Sequence, residues 1–152
     1  MAFNFVKKDI TTVTKGLIAH GCNCRMRMGT GVALAIRNKW PKVYDEYSKL
    51  MPGPHWLGKT QVVKLSDHLH VVNMFTQATY GREQKKYADP KAIHDAFVAT
   101  LSISKDYELP VYIPQIGILG GGLDWETEVF PALQKAVDKT NFQDDITVCI
   151  FP

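Results

Sequence analysis

The chain has few cysteines and no long hydrophobic run. Its 152 residues include three cysteines, and two of them, Cys22 and Cys24, are one residue apart. An odd number of cysteines, two of them this close together, does not form a disulfide framework. This cysteine pattern favours a reducing compartment. No apolar run has the length of a membrane span, and the segment from Met1 to Ile10 lacks the apolar region of a signal peptide. We therefore expect a cytoplasmic location and no association with a membrane.

The excess of charge is also small. A formal charge of +3 is too low to indicate a nucleic-acid-binding protein, but it suits an anionic ligand. Hydrophobic residues make up 45% and charged residues 22% of the chain, which is ordinary for a globular protein. A chain of 152 residues can bury a core without disulfides or metal, so we expect a single domain over residues 1–152.

Several common catalytic and phosphate-binding motifs are missing. The dinucleotide fingerprint fails because Leu34 stands where the third glycine after Gly29-Thr30-Gly31 should be, and the P-loop and G-x-S-x-G motifs are absent. A metal site at His20, Cys22 and Cys24 is a weak alternative, because no second pair of ligands follows at zinc-site spacing. We therefore expect no metal and no other cofactor.

Short segments rich in β-branched or aromatic residues alternate with segments of helical periodicity. The first kind predicts strands at residues 3–6, 17–20, 61–65, 70–75, 111–116 and 146–151. The second kind predicts one helix that ends before Pro41, one that starts beyond it, one capped by Asp89 and one capped by Asp124. This order predicts an α/β fold, a three-layer α/β/α sandwich around a mixed, largely parallel sheet of about six strands.

Two predicted strands run into glycine-bearing loops. The first loop leaves the strand at His20 and enters a helix at Gly29–Gly31, and the second carries Gly117 and the run Gly120–Gly122. In α/β sheets, ligands bind at such junctions, where free amides at a helix N-terminus can face an anion. Three consecutive glycines carry an entropic cost that a ligand contact would explain, whereas a tight turn is the simpler alternative. We predict that both loops cradle phosphate.

Four motifs resemble, in their order and spacing, the macro domain family, whose members bind ADP-ribose and related metabolites. They are K-D-I-T at 8–11, H-G-C-N-C at 20–24 followed by G-T-G-V-A at 29–33, W-P at 40–41, and I-P-Q-I-G at 113–117 through G-G-L-D-W-E at 121–126. The H-x-C-N-C and P-Q-I segments are similar to the branch that includes ADP-ribose-1″-phosphate phosphatases. The G-G-L-D-W-E segment is closer to bacterial members that remove ADP-ribose from macromolecules.

The resemblance implies a groove in which each part of ADP-ribose has its contacts. Asp9 would accept a hydrogen bond from the adenine amine, although a cap or a solvated side chain is an alternative for this residue. Phe151 would stack on adenine unless it only packs at the sheet edge. The amides of the two loops would hold the diphosphate and the distal ribose. The predicted ligand-binding residues are Asp9, Ile10, Gly29, Thr30, Gly31, Val32, Gly117, Ile118, Leu119, Gly120, Gly121, Gly122 and Phe151.

Three residues are candidates for catalysis. His20 is the best general acid or base, because the reference pKa of histidine lies near neutrality, although a purely structural histidine is the alternative. Asn23 matches the family position that contacts the distal ribose. Asp124 could orient a water or a ribose hydroxyl, and a role as helix N-cap is equally consistent with its position.

The predicted function is therefore hydrolysis of ADP-ribose-1″-phosphate to ADP-ribose and phosphate. The expected small-molecule ligand is ADP-ribose or ADP-ribose-1″-phosphate. One alternative is removal of ADP-ribose from a modified protein or nucleic acid, and another is a non-catalytic ADP-ribose-binding module. Some family members carry a lysine that attacks ribose C1″, but this chain has Gln77 there, and an amide cannot form a Schiff base. Lys85 and Lys86, further along, are expected to be solvated or to contact substrate.

Overall fold

The computed structural model describes residues 3–83, 85–118 and 120–152. Within them, one sheet has the strand order β1-β6-β5-β2-β4-β3, in which only β3 is antiparallel to its neighbour. The six predicted strands are confirmed, and the strands are β1 (Phe3–Lys7), β2 (Gly16–Asn23), β3 (Thr60–Lys64), β4 (Leu69–Gln77), β5 (Val111–Pro114) and β6 (Ile146–Ile150).

Four α-helices connect the strands in the described part of the chain: α1 (Gly31–Lys39), α2 (Pro41–Ser48), α3 (Pro90–Tyr107) and α4 (Phe130–Thr140). The break between α1 and α2 falls at Pro41, which cannot donate a backbone hydrogen bond and instead occupies the first turn of α2. Asp89 caps α3, because its side chain accepts a hydrogen bond from the Lys91 amide at 2.9 Å. A π-helical turn, Trp125–Val129, precedes α4.

The helices cover both faces of the sheet. Along β2, Leu17 and Ala19 belong to the apolar core that α3 and α4 close, whereas Ile18 and Cys22 belong to the core on the face of α1 and α2. This alternation follows from the two-residue period of a strand. Nearly every residue of β4 is buried, as expected for a strand that is covered on both faces. The predicted three-layer α/β/α fold is confirmed.

The connections diverge from the middle of the sheet. From β2 the chain passes through α1 and α2 to β3 and β4 on one side, and from β5 it passes through α4 to β6 on the other. Because β2 and β5 are adjacent and parallel, their carboxyl ends form the crevice in which open α/β sheets bind ligands. Both glycine-bearing loops begin here. No helix in the described residues is long and apolar enough to cross a membrane.

Candidate functional site

The first loop is organised around the Asn23 side chain. Its Oδ1 accepts hydrogen bonds from the amides of Arg25 at 3.0 Å and Arg27 at 3.3 Å, and its Nδ2 donates to the Arg27 carbonyl at 2.9 Å. The Tyr47 hydroxyl, from α2, donates to the Asn23 carbonyl at 2.5 Å. Most of the hydrogen-bonding capacity of this amide is therefore used to shape the loop. A contact between Asn23 and a ribose stays a prediction.

The loop then presents backbone amides at the start of α1. In the described part of the chain, the backbone amides from Gly29 to Val32 donate no hydrogen bond to another residue. A side chain at Gly29 or Gly31 would meet no atom of the described residues within 4 Å, and Gly31 has a φ of +60°, which favours glycine. Free amides and the helix dipole together attract an anion, so this segment has the predicted properties of a phosphate cradle.

The second loop is tied back on itself and to the segment before α3. The Gly117 carbonyl accepts from the Leu123 amide at 2.8 Å, and the Gly121 carbonyl accepts from the amides of Tyr87 at 2.8 Å and Ala88 at 3.0 Å. Gly120 faces open space, because a Cβ at this position would have no described atom within 4 Å. Leu119, a predicted ligand residue, lies outside the described residues.

The glycines of this second loop have different reasons for being glycine. At Gly121 a Cβ would lie 2.5 Å from the Gly117 carbonyl oxygen and 2.9 Å from the Ala88 Cβ. Gly121 is a predicted ligand-binding residue and lines the groove, but a side chain at this position would point into the protein. Gly121 is thus needed for packing, whereas Gly120 leaves space on the open side.

Alanine at Gly121 is accordingly expected to destabilise the protein. The added methyl group must displace the Gly117 backbone, and overpacking of this kind costs about 1–3 kcal/mol. Urea unfolding should show this loss in the free energy of unfolding, and the control Gly120→Ala should remain near the parent. Equal unfolding midpoints for Gly121→Ala and the parent would contradict the inward direction of this position.

Between the two loops lies a groove of about 530 Å³. Gly21 forms part of its floor, where a Cβ would lie 2.8 Å from the Thr76 Oγ1. Arg27, Arg37 and Arg82 line the groove, and none of its described lining residues is an aspartate or glutamate. Such a charge distribution favours an anionic ligand.

Sequence reasoning missed these three arginines. Arg27 comes from the first loop, Arg37 from α1 and Arg82 from the segment after β4, so only the fold brings them together. The neighbouring Tyr80 and Tyr44 hydroxyls raise the pKa of Arg27. The Arg37 guanidinium lies 3.7 Å from the ring centroid of Tyr44. Stacking of this kind orients a guanidinium and leaves its edge available to bind an anion.

The predicted adenine contacts lie at the ends of two neighbouring strands. Asp9 follows β1 and Phe151 follows β6, which is parallel to β1, and Phe151 is 75% exposed. Asp9 Oδ1 accepts from the Thr11 hydroxyl at 2.7 Å and amide at 2.9 Å, and these bonds lower the pKa of the carboxyl. The capping alternative for Asp9 is therefore present. Its Oδ2 has no hydrogen-bond partner among the described residues and stays available for the predicted contact.

His20 lies at the floor of the groove but is 1% exposed. Its Nε2 is 2.7 Å from Asn73 Oδ1, and Asn73 Nδ2 donates to Gln61 Oε1 at 3.0 Å. Because that Asn73 oxygen can only accept, we assign the imidazole proton to Nε2. Burial lowers the pKa of His20 to about 4, partly opposed by the bond to Asn73. Proton transfer by His20 stays a prediction, and a neutral, buried imidazole weighs against it.

The third predicted catalytic residue lies outside the residues that line the groove. Asp124 caps the turn that precedes α4: its Oδ2 accepts from the Thr127 hydroxyl at 2.7 Å and amide at 2.9 Å. These bonds lower the pKa of the carboxyl. Asp124 thus has the capping role, and no contact of the described residues directs it toward the groove.

The cysteines are free and buried. Burial raises the pKa of the Cys22 thiol, which keeps it protonated and unreactive. Within the described residues no group of three or more histidine, cysteine or acidic side chains could hold a metal ion.

The sheet order and the groove at the carboxyl ends of β2 and β5 define an α/β protein with a cavity at the place where open α/β sheets bind ligands. The family model for the Macro domain matches residues 19–129. The chain therefore belongs to the macro domain family.

Two relatives of known activity are similar in sequence. The DNA ADP-ribosyl glycohydrolase of Mycobacterium tuberculosis is 26% identical over 149 residues, which cover 95% of this chain and 40% of the relative. The ADP-ribose 1″-phosphate phosphatase of Meyerozyma guilliermondii is 28% identical over 104 residues, 57% of this chain and 59% of the relative. The chain thus spans less than two thirds of the length of either. Both relatives are hydrolases of ADP-ribose derivatives.

Solved structures confirm the fold. A protein of unknown function from Bacteroides thetaiotaomicron has a TM-score of 0.81 at 22% identity, with 98% of both chains covered. The structure of Thermosipho africanus DarTG in complex with ADP-ribose has a TM-score of 0.72 at 17% identity, covering 99% of this chain and 41% of that one. At these identities the similarity concerns the fold alone.

Proposed function

We propose that this chain binds ADP-ribose in the groove and hydrolyses a bond at the distal ribose. The observation that carries the proposal is the combination of free amides at Gly29–Val32 with Arg27, Arg37 and Arg82 in a groove whose described lining has no carboxylate. A diphosphate needs such donors and positive charge. Hydrolysis is supported by the two similar enzymes, both named for ADP-ribose derivatives.

The order of the strands supports one orientation of the ligand. Adenine would lie near Asp9 and Phe151, at the ends of β1 and β6. The diphosphate would follow over the free amides of the first loop. The distal ribose would then reach the ends of β2 and β4, near Gly21 and Gln77, which both line the groove. This direction follows the sheet from its β1 edge toward β4.

The substrate we propose is ADP-ribose-1″-phosphate. Water would attack the phosphorus, the bond from phosphorus to the C1″ oxygen would break, and ADP-ribose and inorganic phosphate would leave. Positioning by the loop amides and charge stabilisation by the arginines supply what such an attack requires from a protein. The predicted catalytic roles of Asn23 and Asp124 stay hypotheses for mutagenesis, whereas for the buried His20 we expect a structural role, which the His20→Ala variant tests.

A second candidate is removal of ADP-ribose from a modified macromolecule. The glycohydrolase relative aligns with 95% of this chain, against 57% for the phosphatase. Any such reaction would have to proceed without a lysine nucleophile at Gln77, whose Nε2 donates to the Thr79 carbonyl at 2.8 Å. Water would then attack C1″ directly.

One experiment with two substrates tests both candidates. The protein is incubated with ADP-ribose-1″-phosphate while inorganic phosphate is measured, and with an ADP-ribosylated DNA oligonucleotide while free ADP-ribose is measured. Release of phosphate alone supports the first candidate, and release of ADP-ribose alone supports the second. Tight binding of ADP-ribose by calorimetry without either product would leave a non-catalytic binding module, and absence of binding would contradict the proposal as a whole.

The adenine contact can be tested without disturbing the cap. An asparagine in place of Asp9 would still accept the Thr11 hydrogen bonds through Oδ1, but its amide nitrogen would replace the free Oδ2 and could not accept from the adenine amine. We expect Asp9→Asn to weaken ADP-ribose binding by about 1–3 kcal/mol with unchanged stability. Calorimetry is the measurement, with Asp67→Asn, an exposed position in the turn between β3 and β4, as the control. Equal affinities for Asp9→Asn and the parent would remove Asp9 from the ligand site.

A further inference from the structure

One arginine of the groove lies between two buried methionines. Met26 and Met28, on either side of Arg27, are 4% and 1% exposed and belong to the core on the face of α1 and α2. The Arg27 side chain is exposed and lines the groove. Met26 has a φ of +60°, which is unfavourable for a residue other than glycine and persists only where the surrounding structure holds it. The two buried methionines thus anchor a turn that presents Arg27 on the open side.

The backbone of Arg27 is fixed as well. Its amide donates to Asn23 Oδ1 at 3.3 Å, and its carbonyl accepts from Asn23 Nδ2 at 2.9 Å. Asn23 is in turn held by the buried Tyr47, whose hydroxyl donates to the Asn23 carbonyl. The backbone of Arg82, the other groove arginine that lies outside a helix, makes no hydrogen bond within the described residues. Of these two, Arg27 is the preorganised cation, and it loses less conformational entropy when it binds an anion.

The loop that carries Arg27 adjoins the end of β4. The Cys24 amide donates to the Gln77 carbonyl at 3.0 Å, which ties the loop to the last residue of that strand. Arg27 lies beside the hydroxyls of Tyr44 and Tyr80, and both tyrosines line the groove, as Gln77 does. The proposed orientation places the distal ribose at this end of the groove. A group attached to C1″ of that ribose therefore comes within reach of Arg27.

The charge of Arg27 is not neutralised by the protein. Arg27 forms no ion pair with a carboxylate of the described residues, and none of the described residues that line the groove is an aspartate or glutamate. A guanidinium without a counter-ion presents a planar pair of donors that matches two oxygens of a phosphate. A phosphate monoester carries nearly two negative charges at neutral pH, whereas the hydroxyl on C1″ of ADP-ribose carries none. Arg27 therefore favours a ligand with a phosphate at this position.

We propose that Arg27 is the specificity-determining residue of a subsite for a phosphate on C1″ of the distal ribose. The guanidinium binds two oxygens of that phosphate, and ADP-ribose, with a hydroxyl at C1″, lacks these two bonds. The subsite thus selects the phosphorylated compound over ADP-ribose, and the ADP-ribose product of hydrolysis leaves more readily than the substrate. Asn23 and Tyr47 act as positioning residues for Arg27 through the hydrogen bonds that shape the loop. The inference rests on the proposed ADP-ribose groove and on the orientation of the ligand in it.

Calorimetry with two ligands and two matched variants tests the subsite. One ligand is ADP-ribose. The other is its 1″-phosphonate analogue, in which a methylene group replaces the C1″ oxygen, so that the bond to phosphorus resists hydrolysis and the measurement does not depend on turnover. The variant is Arg27→Gln, and the control is Arg25→Gln. Arg25 is an exposed arginine two positions away in the same loop that is not among the described lining residues of the groove, so the control removes the same charge without the contact.

We expect the parent to bind the phosphonate about 10- to 100-fold more tightly than ADP-ribose, as two charge-assisted hydrogen bonds imply. In Arg27→Gln the ratio of the two affinities should fall close to one, whereas Arg25→Gln should keep most of the parent's ratio. A parent that binds both ligands alike, a ratio that survives in Arg27→Gln, or an equal fall in Arg25→Gln would overturn the subsite while the groove stands. Failure of the parent to bind ADP-ribose would instead overturn the groove, and the subsite with it.

Discussion

Valine at Gly29 or at Gly120 is expected to abolish ADP-ribose binding while leaving the protein folded. Both positions line the groove, and a Cβ at either would have no described protein atom within 4 Å, so the side chain enters space that the ligand needs. Neither has the positive φ that would strain a valine. Each missing hydrogen bond between an amide and a phosphate costs about 1.5–3 kcal/mol, so we expect a loss of affinity of at least about 100-fold.

Calorimetry with ADP-ribose and urea unfolding together check this expectation. Gly121→Ala provides the contrast, because it should lose stability through packing, whereas the valine variants should lose only affinity. If Gly29→Val and Gly120→Val bind ADP-ribose like the parent, the groove between the loops does not hold the ligand. If they unfold like Gly121→Ala, the open direction of these positions is wrong.

Alanine at His20 is expected to cost about 3 kcal/mol of stability, with turnover per folded molecule nearly unchanged. The substitution leaves the Asn73 Oδ1 without the donor that lies 2.7 Å away, and it creates a cavity in the buried face of the sheet. Rates of product release normalised to folded protein decide between the two roles of His20. A drop of about 10²–10⁴-fold in turnover at parental stability would establish proton transfer. His68→Ala, at an exposed position, is the control for stability.

The same residue makes stability depend on pH. In the unfolded chain His20 titrates near its ordinary pKa of 6.5, whereas in the folded protein its pKa is about 4. The unfolded state therefore binds the proton more readily, so the contribution of His20 to stability falls as the pH is lowered from 6.5 to 4 and changes no further below that. Each unit of difference corresponds to about 1.4 kcal/mol, so we expect a decline of about 3 kcal/mol.

Urea unfolding at a series of pH values measures this decline. Parent and His20→Ala share every other titrating group, so the difference between their free energies of unfolding isolates His20. That difference should shrink by about 3 kcal/mol between about pH 7 and pH 4. A difference that stays constant across this range would show that His20 titrates alike in both states.

The features that were predictable are those with local causes. Pro41 ends one helix and starts the next, Asp89 caps α3, and the two glycine-bearing loops follow buried strands, as expected from the sequence. The capping contacts of Asp9 and Asp124 also lie within three residues along the chain, so the local sequence is enough to indicate them as alternatives. The sequence could not decide whether the carboxylates of Asp9 and Asp124 only cap a turn or also contact a ligand. That choice depends on which other groups approach each carboxylate in the folded protein.

The features that were missed depend on residues far apart in the chain. His20 acquires its lowered pKa from burial and its partner Asn73 from β4, a strand that begins 46 positions after the end of β2. The inward direction of Gly121 depends on Ala88 from the segment before α3. Neither Asn73 as the partner of His20 nor Ala88 as the neighbour of Gly121 can be identified from the periodicity of a strand or the composition of a loop.

By itself, the sequence determined the alternation of strands and helices, and hence the layered fold, because hydrophobic period, proline and capping residues act within a few positions. It also determined where the two loops begin. Only the tertiary structure decided what surrounds them. The convergence of Arg27, Arg37 and Arg82 on one groove arises from the strand order β5-β2-β4, in which the carboxyl ends of distant strands become neighbours. Strand order is set by long-range packing, which local sequence patterns do not encode.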